Sequence, residues 1–248
     1  MTTRLVRRLL TAAGVAAALA PASLAGQDDH ENLQVLSPDL SRPELTAIMR
    51  GFTQALGVRC STCHVGEEGQ PLSTYDMASD DKPMKVKARE MLRMVQAING
   101  EYLAALPDRG EPALRVTCGT CHGGLRRPEP LADHLVRVAM DDGGDAAAAR
   151  YRELRDEYFG GRAYDFSEGS LTGAMEALVA GERGADAVAL GRVAVEFHGE
   201  STMVHTFLGQ AHEVAGDTDA AVAAYRRALE LDPDNRAAQR RLEALGGA

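Results

Sequence analysis

Two short stretches of the sequence share one pattern: Cys60-Ser61-Thr62-Cys63-His64 and Cys118-Gly119-Thr120-Cys121-His122. Each reads Cys-x-x-Cys-His, the pattern of covalent c-type haem attachment. Two thiols at this spacing can reach one edge of a porphyrin, and the adjacent histidine can then bind the iron. The stretches use all four cysteines of the chain. The sequence therefore predicts two covalently bound haem c groups, attached at Cys60, Cys63, Cys118 and Cys121, with His64 and His122 as axial iron ligands.

Two other interpretations use the same cysteines. Paired Cys-x-x-Cys sequences also bind zinc, and single pairs occur in disulfides or thiol redox sites. Here 54 residues separate Cys63 from Cys118, which is longer than the usual gap in a zinc ribbon. Zinc also gives no reason for a histidine after both pairs. Covalent haem accounts for both the cysteines and the histidines.

The composition favours helices. The chain has 248 residues, enough for two small domains, and 45% of them are apolar, but only 4% are aromatic and none is tryptophan. No long alternating run of β-branched residues is present. The prediction is an all-α protein. The net charge of −9 argues against nucleic acid or anionic lipid as a partner and is compatible with a basic protein partner.

The first 25 residues have the features of a cleavable signal peptide. Arg4, Arg7 and Arg8 form a basic start, and an uncharged apolar run of residues 9–20 precedes the small residues of Ser23-Leu24-Ala25. The run is too short to span a bilayer, although an uncleaved anchor remains an alternative. We expect a signal peptide at residues 1–25, a polar tether at 26–32, and an exported, periplasmic protein.

An amphipathic helix is predicted directly before the first motif. Ser41-Arg42-Pro43-Glu44 is a capping box, apolar residues then recur at helical spacing to Leu56, and Gly57 is expected to end the helix. Met49 lies on the apolar face. Its thioether could fill space in a core, or it could be the sixth ligand of the first haem iron.

A second predicted helix, from about Pro83 to Ile98, precedes the second motif and repeats features of the first. When the two helices are aligned, Met49 falls opposite Met91, and Gln-Ala-Leu falls opposite Gln-Ala-Ile. This weak internal repeat suggests Met91 as the distal ligand of the second haem.

These segments together resemble one known family. Residues 49–64, 93–102 and 118–124 are similar to the C-terminal, two-haem half of the photosynthetic reaction centre cytochrome c subunit, over roughly residues 33–131. The resemblance implies a dihaem c-type cytochrome with Met49 and His64 as the axial pair of the first haem. The N-terminal haem pair and the lipid-bearing cysteine of that family are missing. In the family the missing half supplies the last haem's distal histidine, so the second haem here needs another ligand: Met91, with Met94, His134, His30 or an open site as alternatives.

The C-terminal third repeats at a period of 34 residues, as tetratricopeptide repeats do. One copy begins at Thr202, a degenerate copy covers 168–201, and a capping helix is expected from Asn235 to Leu245. We predict a dihaem cytochrome domain at 33–140, a helical linker at 141–167 and a tetratricopeptide module at 168–248. Such modules dock proteins, although this one could also serve only as a scaffold.

The sequence therefore predicts an electron carrier rather than an enzyme. Its partners would be redox proteins, including a membrane electron-transfer complex, and the repeat module would dock or assemble them. The alternatives are a peroxidase-like haem enzyme or a haem-based redox or gas sensor, and either requires an open distal site at the second haem.

Overall fold

The computed structural model describes residues 30–246. These residues form ten α-helices: α1 (Arg42–Leu56), α2 (Pro83–Ala97), α3 (Cys118–His122), α4 (Leu131–Asp142), α5 (Gly144–Tyr158), α6 (Glu168–Ala180), α7 (Gly184–His198), α8 (Thr202–Ala215), α9 (Thr218–Leu231) and α10 (Arg236–Ala244). β-pairing within this range is limited to one isolated bridge between Val65 and Asp76. The predicted all-α fold is confirmed. The predicted signal peptide at 1–25 lies outside the described residues.

Helix α1 begins and ends at the capping residues predicted from the sequence, Ser41 and Gly57. The backbone N–H of Ser41 donates to the Glu44 carboxylate at 2.8 Å, and proline occupies the first turn. Gly57 ends the helix with φ of 60°, the left-handed conformation that glycine adopts most readily. No helix among residues 30–246 has the length and apolar character needed to cross a bilayer.

Helix α2 continues into a wider π-helical segment, Ile98–Tyr102, in which Asn99 connects two distant parts of the chain. The Asn99 amide donates to the carbonyls of Val95 and Val116 at 2.9 and 2.8 Å, and its oxygen accepts from the Val116 N–H at 2.9 Å. The end of α2 is therefore bonded to the extended segment that leads into the second motif.

The apolar core lies in the C-terminal half. Every fully buried apolar residue of the described chain lies at or after Leu131, and the largest cluster runs from Leu131 to Ala211. Helices α4 and α5 form a hairpin that packs on α6 and α7, which in turn pack on α8. The small residues at repeat positions permit close packing: Gly209 lies against the ring of the buried Tyr225.

This packing suggests a different start for the repeat module from the one predicted above, and the domain limits remain a prediction. The hairpin of α4 and α5 falls in the segments assigned above to the end of the cytochrome domain and to the linker. Its buried residues, including Leu135 and Leu154, nevertheless belong to the same core cluster as the repeat helices. We therefore propose that the repeat module begins near Leu131, with three stacked hairpins and α10 as the cap. Three hairpins are also the minimum at which such stacks are normally stable.

Candidate haem sites

The first motif forms a single turn of 3-10 helix, Cys60–Thr62, immediately after α1. The backbone N–H groups of Cys63 and His64 both donate to the Cys60 carbonyl, at 3.1 and 2.9 Å. This tight turn brings both thiols and the imidazole to one cleft. The arrangement is the one that attachment of a porphyrin through two thioethers and one axial imidazole requires.

A cleft opens between the first motif and the helices beside it. Its walls come from the segment after Asn32, from α1, from the first motif and from α2. The side chains on these walls are mostly apolar, and they include Leu33, Val35, Leu36, Met49, Phe52, Leu56, Val58, Cys60, Cys63, His64, Ala88 and Leu92. Met49 and His64 thus line the same cleft, as an axial pair must.

The surroundings of His64 favour the neutral form of its imidazole. Burial lowers the pKa of His64, the Lys85 ammonium lowers it further, and the carbonyl of Met77 opposes both effects. The Nδ1 atom is buried and makes no hydrogen bond to the described residues. Neutral imidazole is the form that binds a metal, so the donor set of this cleft fits a c-type haem iron.

Two cations stand at the edge of the same cleft. The Arg89 guanidinium binds both oxygens of Asp80, at 2.8 and 2.9 Å, and the Lys85 ammonium donates to the carbonyls of Met77, Ala78 and Ser79. These cationic side chains are only 10% and 12% exposed. Hydrogen bonds from Arg89 and then from Asn32 hold the pKa of Asp80 well below its usual range. The sequence analysis did not single out Lys85 or Arg89; two cations four residues apart on an otherwise apolar helix face were the available signal.

The second motif forms the short helix α3. The N–H of Thr117 donates to the Thr120 hydroxyl at 3.0 Å, and Gly123 ends the helix with φ of 56°. The His122 Nδ1 atom lies 2.8 Å from the Leu125 carbonyl, which orients the ring and leaves Nε2 as the nitrogen available to bind an iron. Burial raises the pKa of the Cys118 thiol.

The candidate distal ligands of the second haem differ in their surroundings. Met91 and Met94 lie on α2, outside the first cleft, and are 44% and 45% exposed. Both ring nitrogens of His134 are within hydrogen-bond distance of protein groups, Glu129 at one and Arg150 at the other. The His30 ring bonds to the Leu40 carbonyl. Met91 as the ligand therefore stays a prediction, and the two histidines already have protein partners.

No disulfide joins any two of the cysteines in the described residues. Among residues 30–246, no three histidine, cysteine or acidic side chains converge in a group that could hold a metal ion. The residues at each motif instead offer two thiols and one imidazole, the set that a c-type haem uses.

Comparison with known proteins agrees with the motifs. The family model for the photosynthetic reaction centre cytochrome C subunit matches residues 7–153, and that for the tetratricopeptide repeat matches residues 203–235. Cytochrome c-554 of Chloroflexus aurantiacus is 37% identical over 92 residues, which cover 37% of this chain and 20% of that protein. The photosynthetic reaction center cytochrome c subunit of Thermochromatium tepidum is 36% identical over 102 residues, covering 40% and 22%.

The chain thus spans about a fifth of the length of these two relatives. The solved structure of the first TPR domain of the human RPAP3 protein overlaps 47% of this chain and 87% of that one, with 22% identity and a TM-score of 0.34. The match to the cytochrome family covers more than half of the chain and includes both Cys-x-x-Cys-His stretches. The chain therefore belongs to the photosynthetic reaction centre cytochrome c subunit family.

Proposed function

We propose that the protein is an exported dihaem c-type cytochrome that carries electrons between redox proteins. Cys60 and Cys63 would hold the first haem c and Cys118 and Cys121 the second, each through two thioether bonds. When bound, the haem irons supply reversible one-electron redox chemistry. The polypeptide breaks no substrate bond in this function; its residues bind the haem groups, orient them and limit the access of water.

One observation carries this proposal: the part of the chain that contains both motifs has helices but no apolar core of its own. Between residues 30 and 130 the only buried residue is Arg89, with 8% of its surface exposed, whereas the helices after Leu131 bury a continuous apolar core. The apolar faces of α1 and α2 instead line the cleft at the first motif. A large apolar group attached at Cys60 and Cys63 would give these helices the surface they need to pack against.

The same placement supports the axial ligands proposed for the first haem. His64 and Met49 lie on the walls of one cleft and are proposed as the ligands of the first iron. A thioether opposite an imidazole raises the reduction potential of a c-type haem. At the second motif, His122 is the proposed proximal ligand and Met91 the proposed distal ligand.

The partners are proposed to be redox proteins, including a membrane electron-transfer complex. The relatives named above are cytochrome c-554 and a photosynthetic reaction center cytochrome c subunit, and their names support redox partners. The tetratricopeptide match supports docking of a protein by the C-terminal module. The strongly acidic composition argues against nucleic acid. The signal-like residues 1–25 support a periplasmic or otherwise exported location, where c-type haem is attached.

The exposure of Met91 favours one alternative function, in which the second haem has an open distal site. A ligand that is 44% exposed can be displaced more easily than a buried one, and an iron without its sixth ligand could bind a gas or a peroxide. A haem enzyme or a haem-based redox or gas sensor is therefore the second candidate. Carbon monoxide binding to the reduced protein separates the candidates: no binding supports electron transfer, and binding at one haem supports the alternatives.

The deciding experiment is a redox titration of the purified holoprotein, followed by its haem spectra, together with a count of haem groups by mass. We expect two haems per chain. Met49→Leu should abolish the thioether-to-iron absorption band of the first haem and lower its potential, and Met91→Leu should do the same at the second.

Met94→Leu is the matched control, because Met94 lies on the same helix as Met91 with nearly the same exposure. Leucine keeps the volume of methionine, so the change at each position is mainly the loss of sulfur. One haem per chain would refute the dihaem proposal. Equal effects of Met91→Leu and Met94→Leu would refute Met91 as the ligand.

A further inference from the structure

The segments that flank the two motifs contact each other through their backbones. The N–H of Gly124, two residues after His122, donates to the carbonyl of Ala55 near the end of α1 at 2.9 Å. Gly57, three residues before Cys60, lies directly against the Gly124 carbonyl, so that a Cβ atom at Gly57 would overlap that oxygen. The segment that enters the first motif is therefore in contact with the segment that leaves the second.

The contacting residues are close in sequence to both motifs. Three extended residues span at most about 11 Å, and two span at most about 7 Å, so Cys60 and His122 each lie within that distance of the contact. Helix α1 also carries Met49 on the wall of the first cleft. The same helix thus lines the first candidate haem site and binds the backbone of the second motif.

A glycine is needed at position 57 for two separate reasons. Its φ of 60° is unfavourable for a residue with a side chain, and the space beside it is filled by Gly124. The positive φ serves only to end the helix, as a glycine at the end of any helix can. The close approach of Gly124 sets the distance between the motifs, and it is specific to position 57.

We infer that the Gly57–Gly124 backbone contact fixes the separation of the two haem groups, and that Gly57 is a positioning residue for electron exchange between them. This inference rests on the proposed dihaem function. The contact is made of backbone atoms and one hydrogen bond, so it holds two otherwise separate attachment segments at a defined distance without any flexible side chain between them.

The chain offers a closely matched control. Gly216 ends α8 as Gly57 ends α1, in the left-handed conformation with φ of 81°, and has open space beside it. Alanine at either position therefore meets similar backbone strain. Only Gly57 also contacts the segment that follows the second motif. Gly51, which has open space around it in α1, is the neutral control.

The test compares Gly57→Ala, Gly216→Ala and Gly51→Ala as full-length holoproteins. Each is first assayed for two covalent haems by mass and then partly reduced by a light flash, so that the rate of electron exchange between the haems can be followed spectroscopically. We expect several-fold slower exchange in Gly57→Ala, with both haems still attached, and the wild-type rate in Gly216→Ala and Gly51→Ala. A Gly57→Ala rate equal to that of Gly51→Ala, or an equal loss in Gly216→Ala, would overturn the inference.

A second measurement does not depend on folding of a variant. In the wild-type holoprotein, the Gly124 amide should exchange its hydrogen as slowly as the internal amides of α1, because it is bonded to Ala55. Exchange of this amide at the rate of an exposed loop would overturn the inference even if both haems are present. By contrast, a wild-type protein with fewer than two haems would overturn the proposed function, and the inference with it.

Discussion

Replacing Asn99 with alanine tests how the second motif is held in place. The side chain makes three hydrogen bonds of 2.8–2.9 Å, one to Val95 in its own helix and two to Val116, two residues before Cys118. The two bonds to Val116 join segments 17 residues apart. Their loss should make the segment that leads into the second motif more mobile. The first cleft should stay intact, since Asn99 is not among the side chains on its walls.

The expected cost follows from these contacts. One hydrogen bond contributes about 0.5–1.5 kcal/mol net, and an unsatisfied buried group costs about 1–3 kcal/mol. Asn99 is only partly buried, so water can replace some of what is lost. We therefore expect Asn99→Ala to lower the free energy of unfolding by about 2 kcal/mol.

The assay is urea unfolding of the holoprotein followed by circular dichroism, combined with the absorption spectrum of each haem. Gln96→Ala is the control, because Gln96 is exposed on the same helix, one turn before Asn99. An exposed substitution of this kind should change stability by less than about 0.5 kcal/mol. If Asn99→Ala is as stable as Gln96→Ala, or if it perturbs the first haem as much as the second, the positioning role of Asn99 is wrong.

Two further predictions concern the helices after the motifs. Glu129→Gln should cost about 1–2 kcal/mol at pH 7, because Arg137 first and then His134 lower the pKa of Glu129 from 4.5 to about 2. The difference in free energy of unfolding between wild type and Glu129→Gln should be complete above pH 4.5 and disappear as the pH falls toward 2. Urea unfolding of both proteins across this pH range measures that difference. A difference that does not change with pH would contradict the prediction. Leu135→Ala should cost about 2–5 kcal/mol, because Leu135 is fully buried in the core that α4 shares with the repeat helices. Met140→Ala on the same helix should have little effect, since Met140 is 57% exposed, and similar stabilities of the two variants would show that α4 is not part of that core.

The chemistry of the motifs could be predicted because it is local in sequence. The spacing in Cys60 to His64 is itself the geometric requirement for covalent haem attachment, so no tertiary information is needed to recognise it. The family match that includes both motifs bears out the resemblance drawn from them. The limits of α1 were equally local, because Ser41, Pro43 and Gly57 act on their own turns of the helix.

The repeat module was recognised for a related reason. A 34-residue period is a property of the sequence, and the copy predicted from Thr202 coincides with the family match at residues 203–235 and with the start of α8. The period did not reveal the hairpin of α4 and α5, because its residues lack the repeat pattern. They join the core through burial of Leu135 and Leu154, which depends on contacts with other helices.

The sequence by itself thus determined the haem-attachment chemistry, the helical class and the repeat period, all of which depend on residues close together in the chain. Tertiary structure alone decided that Lys85 and Arg89 lie at the edge of the first cleft and that Gly57 contacts Gly124. The physical reason is that contacts between distant segments depend on how helices pack, and helix packing is set by the whole set of buried surfaces rather than by any local spacing.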